Sequence, residues 1–159
     1  MPPAPQDRPD VAVFNEISII EHRMRRSVME HLPGDMTYAH FEALSHFVRS
    51  GDGQTPAELA QAMLMSKAAI TSILQKMQAL GHVVVLADVH DRRKKRVRLT
   101  KAGAEAYTSV LQTMKWKMEA LRDGFTHSEF TQALPFLRAL RGFLDEISVA
   151  GGPSAASRR

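Results

Sequence analysis

The chain contains no cysteine among its 159 residues. This absence excludes disulfide bonds, thiolate metal sites and thiol nucleophiles. The sequence also lacks a run of about 18 apolar residues, which a membrane-spanning helix would need. Prolines, rather than a basic segment followed by an apolar one, occupy the N-terminus, so no secretory signal is indicated. We therefore expect a cytoplasmic protein that does not bind a membrane.

Sequence signatures of catalysis and of cofactor binding are also missing. The chain has no Gly-rich phosphate loop, no Gly-x-Ser-x-Gly motif and no carboxylate pair in a pattern typical of acid–base catalysis. Its seven histidines form no recognised ligand motif such as His-Glu-x-x-His, and single histidines near helix surfaces are usually only solvated. We expect a protein that is not an enzyme, with no cofactor and no metal site.

Residues 55–81 have the pattern of a helix-turn-helix. Thr55, Pro56 and Glu58 begin the first helix with a capping residue, a proline in the first turn and a glutamate that can bond back to the cap. Ser66 caps a second helix, whose apolar residues recur at helical spacing until Gly81 ends it. Two short helices joined by a tight turn are typical of this motif.

The outward face of the second helix carries no carboxylate. Such a small, polar or cationic face can be merely solvated, or it can contact base edges in a major groove. The candidate DNA contacts on this helix are Ser66, Lys67, Ala68, Thr71, Ser72, Gln75 and Lys76.

A basic hairpin is predicted directly after this helix, with strands at residues 83–86 and 97–99 and a tip at residues 88–96. Residues 88–101 contain seven Lys or Arg and two Asp, whereas the rest of the chain holds fourteen Lys or Arg and fifteen Asp or Glu. The formal net charge of +4 therefore comes from the hairpin. A charge run is usually only a solvated face, but a hairpin beside a helix-turn-helix can follow phosphates. The candidate DNA contacts of the hairpin are Arg92, Arg93, Lys94, Lys95 and Arg96.

These motifs resemble those of the MarR family of transcriptional regulators. The resemblance is carried by Ser66-Lys67, Thr71, Gly81, Asp91-Arg92-Arg93, Lys95 and residues 97–103, whose wing pattern is Asp-x-Arg followed by Leu-Thr-x-x-Gly. It implies a dimeric winged-helix repressor or activator, and we expect a repressor on double-stranded, pseudo-palindromic DNA. It also implies that Arg93 enters the minor groove and that Asp91 steadies the wing.

The sequence departs from the family pattern at positions that bear on base preference. Ser72 stands where many members carry Arg, and Gln75 stands where Asp is frequent. The family's base preference is therefore not transferred to this chain.

Helices are predicted on both sides of the winged core. The expected fold is mainly α, with about six helices and a small antiparallel hairpin in one MarR-like domain over residues 11–148. Residues 37–100 would form the winged core, and residues 11–32 and 101–148 the dimerisation helices. The last helix has more apolar width than one core needs, which favours a homodimer. Residues 1–10 and 149–159 have the composition of mobile tails.

The same resemblance implies a small-molecule pocket between the first, second and fifth helices, for an aromatic or phenolic ligand. The candidate ligand contacts are Arg23, Met24, Phe47 and Met114. Arg23 could instead form a surface ion pair. The alternative function is a winged-helix protein-interaction module without ligand response, but the nearly unbroken cationic run favours DNA.

Overall fold

The computed structural model describes residues 8–149 of the chain. This part contains seven helices and one two-stranded antiparallel sheet. The helices are α1 (Pro9–Met29), α2 (Tyr38–Ser50), α3 (Pro56–Ala62), α4 (Lys67–Ala79), α5 (Lys101–Thr113), α6 (Lys115–Gly124) and α7 (His127–Val149). The strands β1 (Val83–Ala87) and β2 (Lys95–Leu99) lie between α4 and α5. The predicted fold class, mainly α with a winged helix-turn-helix, is confirmed.

Side-chain caps fix the starts of the helices in the winged core, as the sequence predicts. Thr55 and Glu58 form the reciprocal capping box of α3, with the Thr55 amide donating to the Glu58 carboxylate at 2.7 Å. The Ser66 hydroxyl accepts the Ala69 amide at 3.1 Å and so begins α4. Caps of this kind each stabilise a protein by about 0.5–2 kcal/mol.

The ends of α1 differ from the prediction of residues 11–32. The helix begins at Pro9, because proline lacks an amide and suits the first helical turn. It ends at Met29, because Pro33 disfavours helical geometry in the residue before it. Residues 1–7 and 150–159, which make up most of the two predicted tails, lie outside the described residues.

The region that the sequence assigns to dimerisation helices after the wing, residues 101–148, contains three helices, α5, α6 and α7. The chain leaves helical geometry at Met114, with φ −96° and ψ 1°, and α5 and α6 lie on either side of this residue. The Thr113 hydroxyl donates to the Val110 carbonyl at 2.7 Å, so a side chain occupies a carbonyl at the end of α5. Competition of this kind weakens the helical pattern locally.

One apolar core joins α2, α3, α4, α5 and the hairpin. Its most deeply buried apolar side chains are those of Leu44, Leu59, Ile70, Met77, Val83, Val97 and Val110. Gly103 lets α5 approach the corner between α4 and β1, because a Cβ at this position would lie 2.2 Å from the His82 carbonyl oxygen. This contact explains the glycine that ends the Leu-Thr-x-x-Gly pattern.

A pair of histidines lies inside this core. His40 in α2 is 1% exposed, and its Nε2 is 3.0 Å from Nδ1 of His82. The Nδ1 of His40 is buried without a hydrogen-bond partner. Burial, and then the neighbouring His82, lowers the pKa of His40 from 6.5 to about 4.

The folding stability should therefore fall as the pH drops from about 6.5 to about 4. In this window the unfolded chain binds a proton at His40 while the folded chain does not, so acid favours unfolding. Above this window both states are neutral at His40, and no stability is lost. The full loss should be on the order of 3 kcal/mol. Urea unfolding of the wild type at pH 7 and pH 4.5 measures it.

His40→Gln should remove most of this pH dependence, because the replacement does not titrate. His22→Gln, a change on the exposed side of α1, is the matched control and should leave the wild-type difference in place. Equal acid destabilisation of His40→Gln and the wild type would show that His40 is not the group responsible.

Candidate nucleic-acid interface

The helix α4 presents two different faces. Ile70, Leu74 and Met77 are buried against the core. The opposite face is exposed and carries no carboxylate: Lys67, Ala68, Thr71, Ser72, Gln75 and Lys76. Ser66, the remaining predicted contact on this helix, uses its hydroxyl to cap the helix. The exposed face has donors, acceptors and methyl groups of the kinds that contact base edges.

The wing is a tight hairpin whose strands pair from Val83 with Leu99 to Ala87 with Lys95. The strands are longer than predicted, so the tip comprises only residues 88–94, and Lys95 and Arg96 belong to β2. The Asp88 amide donates to the Lys94 carbonyl at 2.9 Å and closes the tip.

The carboxylate of Asp88 organises the tip. One oxygen accepts the amides of His90 and Asp91 at 2.7 and 3.0 Å, and the other accepts Nε of Arg96 at 2.5 Å. Arg96, followed by the two amides, holds the pKa of the Asp88 carboxyl well below its usual range. Asp88 is therefore ionised at neutral pH and keeps all three contacts.

Asp91 makes a smaller contribution to the same tip. Its carboxylate accepts the Arg93 amide at 3.0 Å, and its carbonyl accepts the Lys94 amide at 2.8 Å. The position agrees with the steadying role that the resemblance implies, which stays a prediction.

Arg96 differs from the other predicted wing contacts, because its guanidinium is engaged within the protein. In addition to Asp88, it contacts the Gly53 carbonyl at 3.1 Å and the Glu58 carboxylate at 3.4 Å. Arg98 is likewise paired with Asp52, at 3.0 Å. Of the predicted cationic run, Arg96 is therefore not free to contact a partner. Its side chain stabilises the wing through contacts within the protein.

The free positive charge of the wing is concentrated in four exposed side chains. Arg92, Arg93, Lys94 and Lys95 make no salt bridge within residues 8–149. Arg93, Lys94 and Lys95 line a groove with Lys67 and Thr71 of α4 and with the start of α3. The helix α4 and the wing thus border one cationic groove, and Glu58 is the single carboxylate among its lining residues.

A segment that the sequence predicts only as a loop forms the second edge of β2. The Gly53 amide donates to the Val97 carbonyl at 2.7 Å, and the Val97 amide donates to the Gln54 carbonyl at 2.9 Å. The Leu99 amide donates to the Asp52 carboxylate at 2.7 Å. β2 is thus held between β1 and residues 52–54.

The predicted ligand residues do not share one cavity. A cavity of about 360 Å³ lies between α1, α2 and α3 and is lined by Met24, Tyr38, Phe41, Glu42, Ser45, His46, Arg49, Ala62 and Met63. Met24 belongs to it, but Phe47 and Met114 are buried in the core, and Arg23 is exposed on α1 outside the lining. The cavity is bordered by α3 rather than by the predicted α5. The Tyr107 ring of α5 instead stacks on Phe41, with 5.3 Å between the ring centroids.

Comparison with known proteins shows what this geometry is similar to. The model of the MarR family matches residues 34–94, which run from just before α2 to the tip of the wing. The apo structure of wild-type MarR from E. coli aligns with a TM-score of 0.65 and 25% identity, covering 79% of this chain and 93% of that one. The winged core of the chain thus matches the MarR family.

Two further MarR-like proteins are informative. The transcriptional activatory protein BadR from Rhodopseudomonas palustris is 30% identical over 88 residues, or 54% of this chain and 50% of BadR. The chain thus matches about half the length of this curated relative. BpsR from Bordetella bronchiseptica, whose DNA binding is regulated by 6-hydroxynicotinic acid, aligns with a TM-score of 0.64 and 19% identity, covering 82% of this chain and 98% of BpsR.

Asp52, Gln54 and Asp88 belong to the candidate interface but were not predicted from the sequence. Asp52 and Gln54 bond to a strand more than forty positions later, which no local pattern indicates. Asp88 could have been identified locally. An Asp side chain often accepts backbone amides two or three residues further along the chain, and this contact favours a turn.

Asp88→Ala should loosen the wing, although removing the carboxylate raises the net charge of the wing by one unit. Charge alone predicts tighter DNA binding, whereas loss of the tip contacts predicts weaker binding, because docking must then order the wing. We expect faster amide exchange at His90 and Asp91 and a loss of about 1–3 kcal/mol in DNA affinity. Asp91→Ala should act in the same direction but more weakly.

Glu105→Ala is the matched control, because it removes one exposed carboxylate from α5, outside the wing. It should leave amide exchange in the wing unchanged. DNA affinity of Asp88→Ala equal to or above that of the wild type at physiological salt would show that the wing acts only as a cationic strip.

Proposed function

We propose that the protein is a sequence-specific regulator that binds double-stranded DNA through α4 and the wing. The observation that carries the proposal is the groove in which a carboxylate-free helix face meets three unpaired cations of the wing, Arg93, Lys94 and Lys95. A phosphate-lined surface complements such a groove electrostatically. A mutant of E. coli MarR whose structure contains operator DNA has the same fold as this chain, with a TM-score of 0.66, which supports the proposal.

The two parts of the groove have different roles in this proposal. α4 enters the major groove, where Gln75 can pair with adenine and Ser72 or Thr71 can bond to several base edges. The wing follows the phosphates, and Arg93 at its tip enters the adjacent minor groove. Arg96 remains inside the protein as a support.

The functional unit in the proposal is a homodimer. α7 carries a row of exposed apolar side chains: Phe130, Leu134, Phe136, Leu137, Phe143, Leu144 and Ile147. α1 exposes Phe14, Ile19 and Ile20 as well. Apolar surface of this extent on a monomer marks an interaction site, and a second copy of the chain would cover it while supplying the second recognition helix.

Selection from a random duplex library tests the proposal. We expect a pseudo-palindrome with half-sites about 10 base pairs apart, because two recognition helices enter successive major grooves. Sedimentation should show two chains on each duplex. If six to ten phosphates are neutralised, affinity should fall roughly 10³- to 10⁵-fold between 50 and 200 mM salt. Arg93→Ala should cost about 1–3 kcal/mol of affinity.

Lys101→Ala is the control for charge, since it removes one exposed cation outside the tip. It should reduce affinity much less than Arg93→Ala. A flat salt dependence, or equal affinity for a scrambled duplex, would refute sequence-specific DNA binding and would favour the protein-interaction module. The repressor role stays a prediction, because the relative BadR is an activatory protein.

We further propose that the cavity between α1, α2 and α3 binds a small aromatic acid that controls DNA binding. Met24, Phe41 and Met63 provide apolar walls, and Arg49 lines the cavity without a salt bridge within residues 8–149. A guanidinium of this kind can hold a carboxylate through two parallel hydrogen bonds. The volume of about 360 Å³ lies within the usual range for ligand pockets. The regulation of BpsR by 6-hydroxynicotinic acid supports the ligand class.

Titration calorimetry with 6-hydroxynicotinic acid tests this site. Arg49→Gln should weaken binding about 10- to 100-fold, because it removes a charge-assisted contact worth about 1.5–3 kcal/mol. Arg23→Gln is the matched control and should bind the acid as the wild type does, since Arg23 does not line the cavity. Equal losses in both variants, or a loss only in Arg23→Gln, would place the ligand elsewhere.

A further inference from the structure

Gln54 forms hydrogen bonds in two directions. Its side-chain oxygen Oε1 lies 2.8 Å from Nε2 of His46, a buried residue of α2 that lines the cavity. Because Oε1 can only accept, Nε2 of His46 carries the proton and donates it. The backbone carbonyl of Gln54 accepts the amide of Val97, the central residue of β2, at 2.9 Å. One residue therefore contacts both the cavity wall and the wing.

The segment around Gln54 is bonded to the wing at neighbouring positions. The Gly53 amide donates to the Val97 carbonyl at 2.7 Å, and the Asp52 carboxylate accepts the Leu99 amide at 2.7 Å. A displacement of Gln54 relative to β2 therefore disturbs its hydrogen bond to the Val97 amide.

His46 is the cavity residue that connects to this segment. In the part of the chain that the structure describes, no other side chain of the cavity lining hydrogen-bonds to residues 52–54. Val97 is fully buried, and its backbone amide and carbonyl both bond to residues 53–54 rather than to β1. Loss of the Gln54 bond thus removes the acceptor of a buried amide in β2.

We propose that Gln54 is the positioning residue that transmits the state of the cavity to the wing. The inference rests on the proposed function and identifies how the ligand site and the DNA site communicate. An acid bound beside Arg49 competes for the Nε2 proton of His46, because a carboxylate accepts it more strongly than an amide oxygen. Gln54 is then released, the Val97 contact weakens, and the wing becomes more costly to order on DNA.

A pair of Gln54 variants tests the link without any ligand. Gln54→Met keeps the length of the side chain but cannot accept the His46 proton, whereas Gln54→Glu still can. We expect exchange of the Val97 amide to rise roughly tenfold in Gln54→Met and to stay near the wild-type rate in Gln54→Glu. His46→Gln combined with Gln54→Met should raise exchange no further than Gln54→Met alone. Wild-type exchange in Gln54→Met would overturn the proposal whatever the ligand.

The second arm measures communication with 6-hydroxynicotinic acid as the probe. In the wild type the acid should weaken operator binding, whereas Gln54→Met should bind the acid at least as tightly, because no side chain competes for the His46 proton, and should lose most of the response. An undiminished response in Gln54→Met would overturn transmission through Gln54.

If the wild type binds operator but does not respond to the acid, the proposed ligand class is refuted. A substitution that fills the cavity then tests transmission through Gln54. Ser45→Phe places a ring in the cavity and should weaken operator binding in the wild-type background but not in Gln54→Met. Equal effects in both backgrounds would overturn the inference. If no operator is bound, the proposed function fails, and the amide-exchange arm alone judges the positioning role of Gln54.

Discussion

The salt bridge between Asp88 and Arg96 joins the end of β1 to β2 at the base of a strongly cationic tip. Arg92, Arg93, Lys94 and Lys95 repel one another, so the tip would be extended and variable without a counter-charge. Asp88 supplies that charge from a site only 8% exposed, and its second oxygen fixes the turn through the amides of His90 and Asp91. The same carboxylate thus orders the backbone and leaves the four tip cations unpaired. Their positions depend on an anion that itself faces away from solvent.

Counting charges along the sequence overestimates what the wing can offer to a phosphate. Of the seven cations in residues 88–101, Arg96 and Arg98 are paired with aspartates, and Lys101 lies 3.6 Å from Glu105. The pairing of Arg96 is partly buried, where a charge without a partner would be costly. In the proposed complex its guanidinium would therefore stay in the protein, and the four remaining cations would set the salt dependence that the wing contributes.

Local patterns predicted most of the fold, and contacts distant in sequence account for what was missed. The caps at Thr55 and Ser66, the exposed face of α4 and the hairpin all depend on residues within a few positions of one another. The edge formed by residues 52–54 depends on β2, more than forty positions away, and both glycines and Asp52 are equally typical of an ordinary loop. The predicted ligand residues do not share one cavity for a related reason. Helical spacing shows which residues of one helix share a face, but it does not show what that face packs against. Phe47 and Met114 face the core, whereas Met24 faces the cavity.

Residues 51–58 end α2, begin α3 and form hydrogen bonds to the wing. These joint contacts limit how the wing can respond to a change elsewhere in the protein. Thr55 and Glu58 cap α3, and Glu58 also contacts Arg96 at 3.4 Å, so a shift of the segment reaches the wing through this contact as well as through the bonds of residues 52–54 to β2. The Glu58 contact is exposed, and such pairs contribute little. The backbone bonds of Gly53 and Gln54 to Val97 are buried, and an unpaired buried amide costs more than a lost surface pair. In the proposed transmission, a change that starts in the cavity would therefore act chiefly on β2, through these buried bonds, rather than through the exposed Glu58 contact.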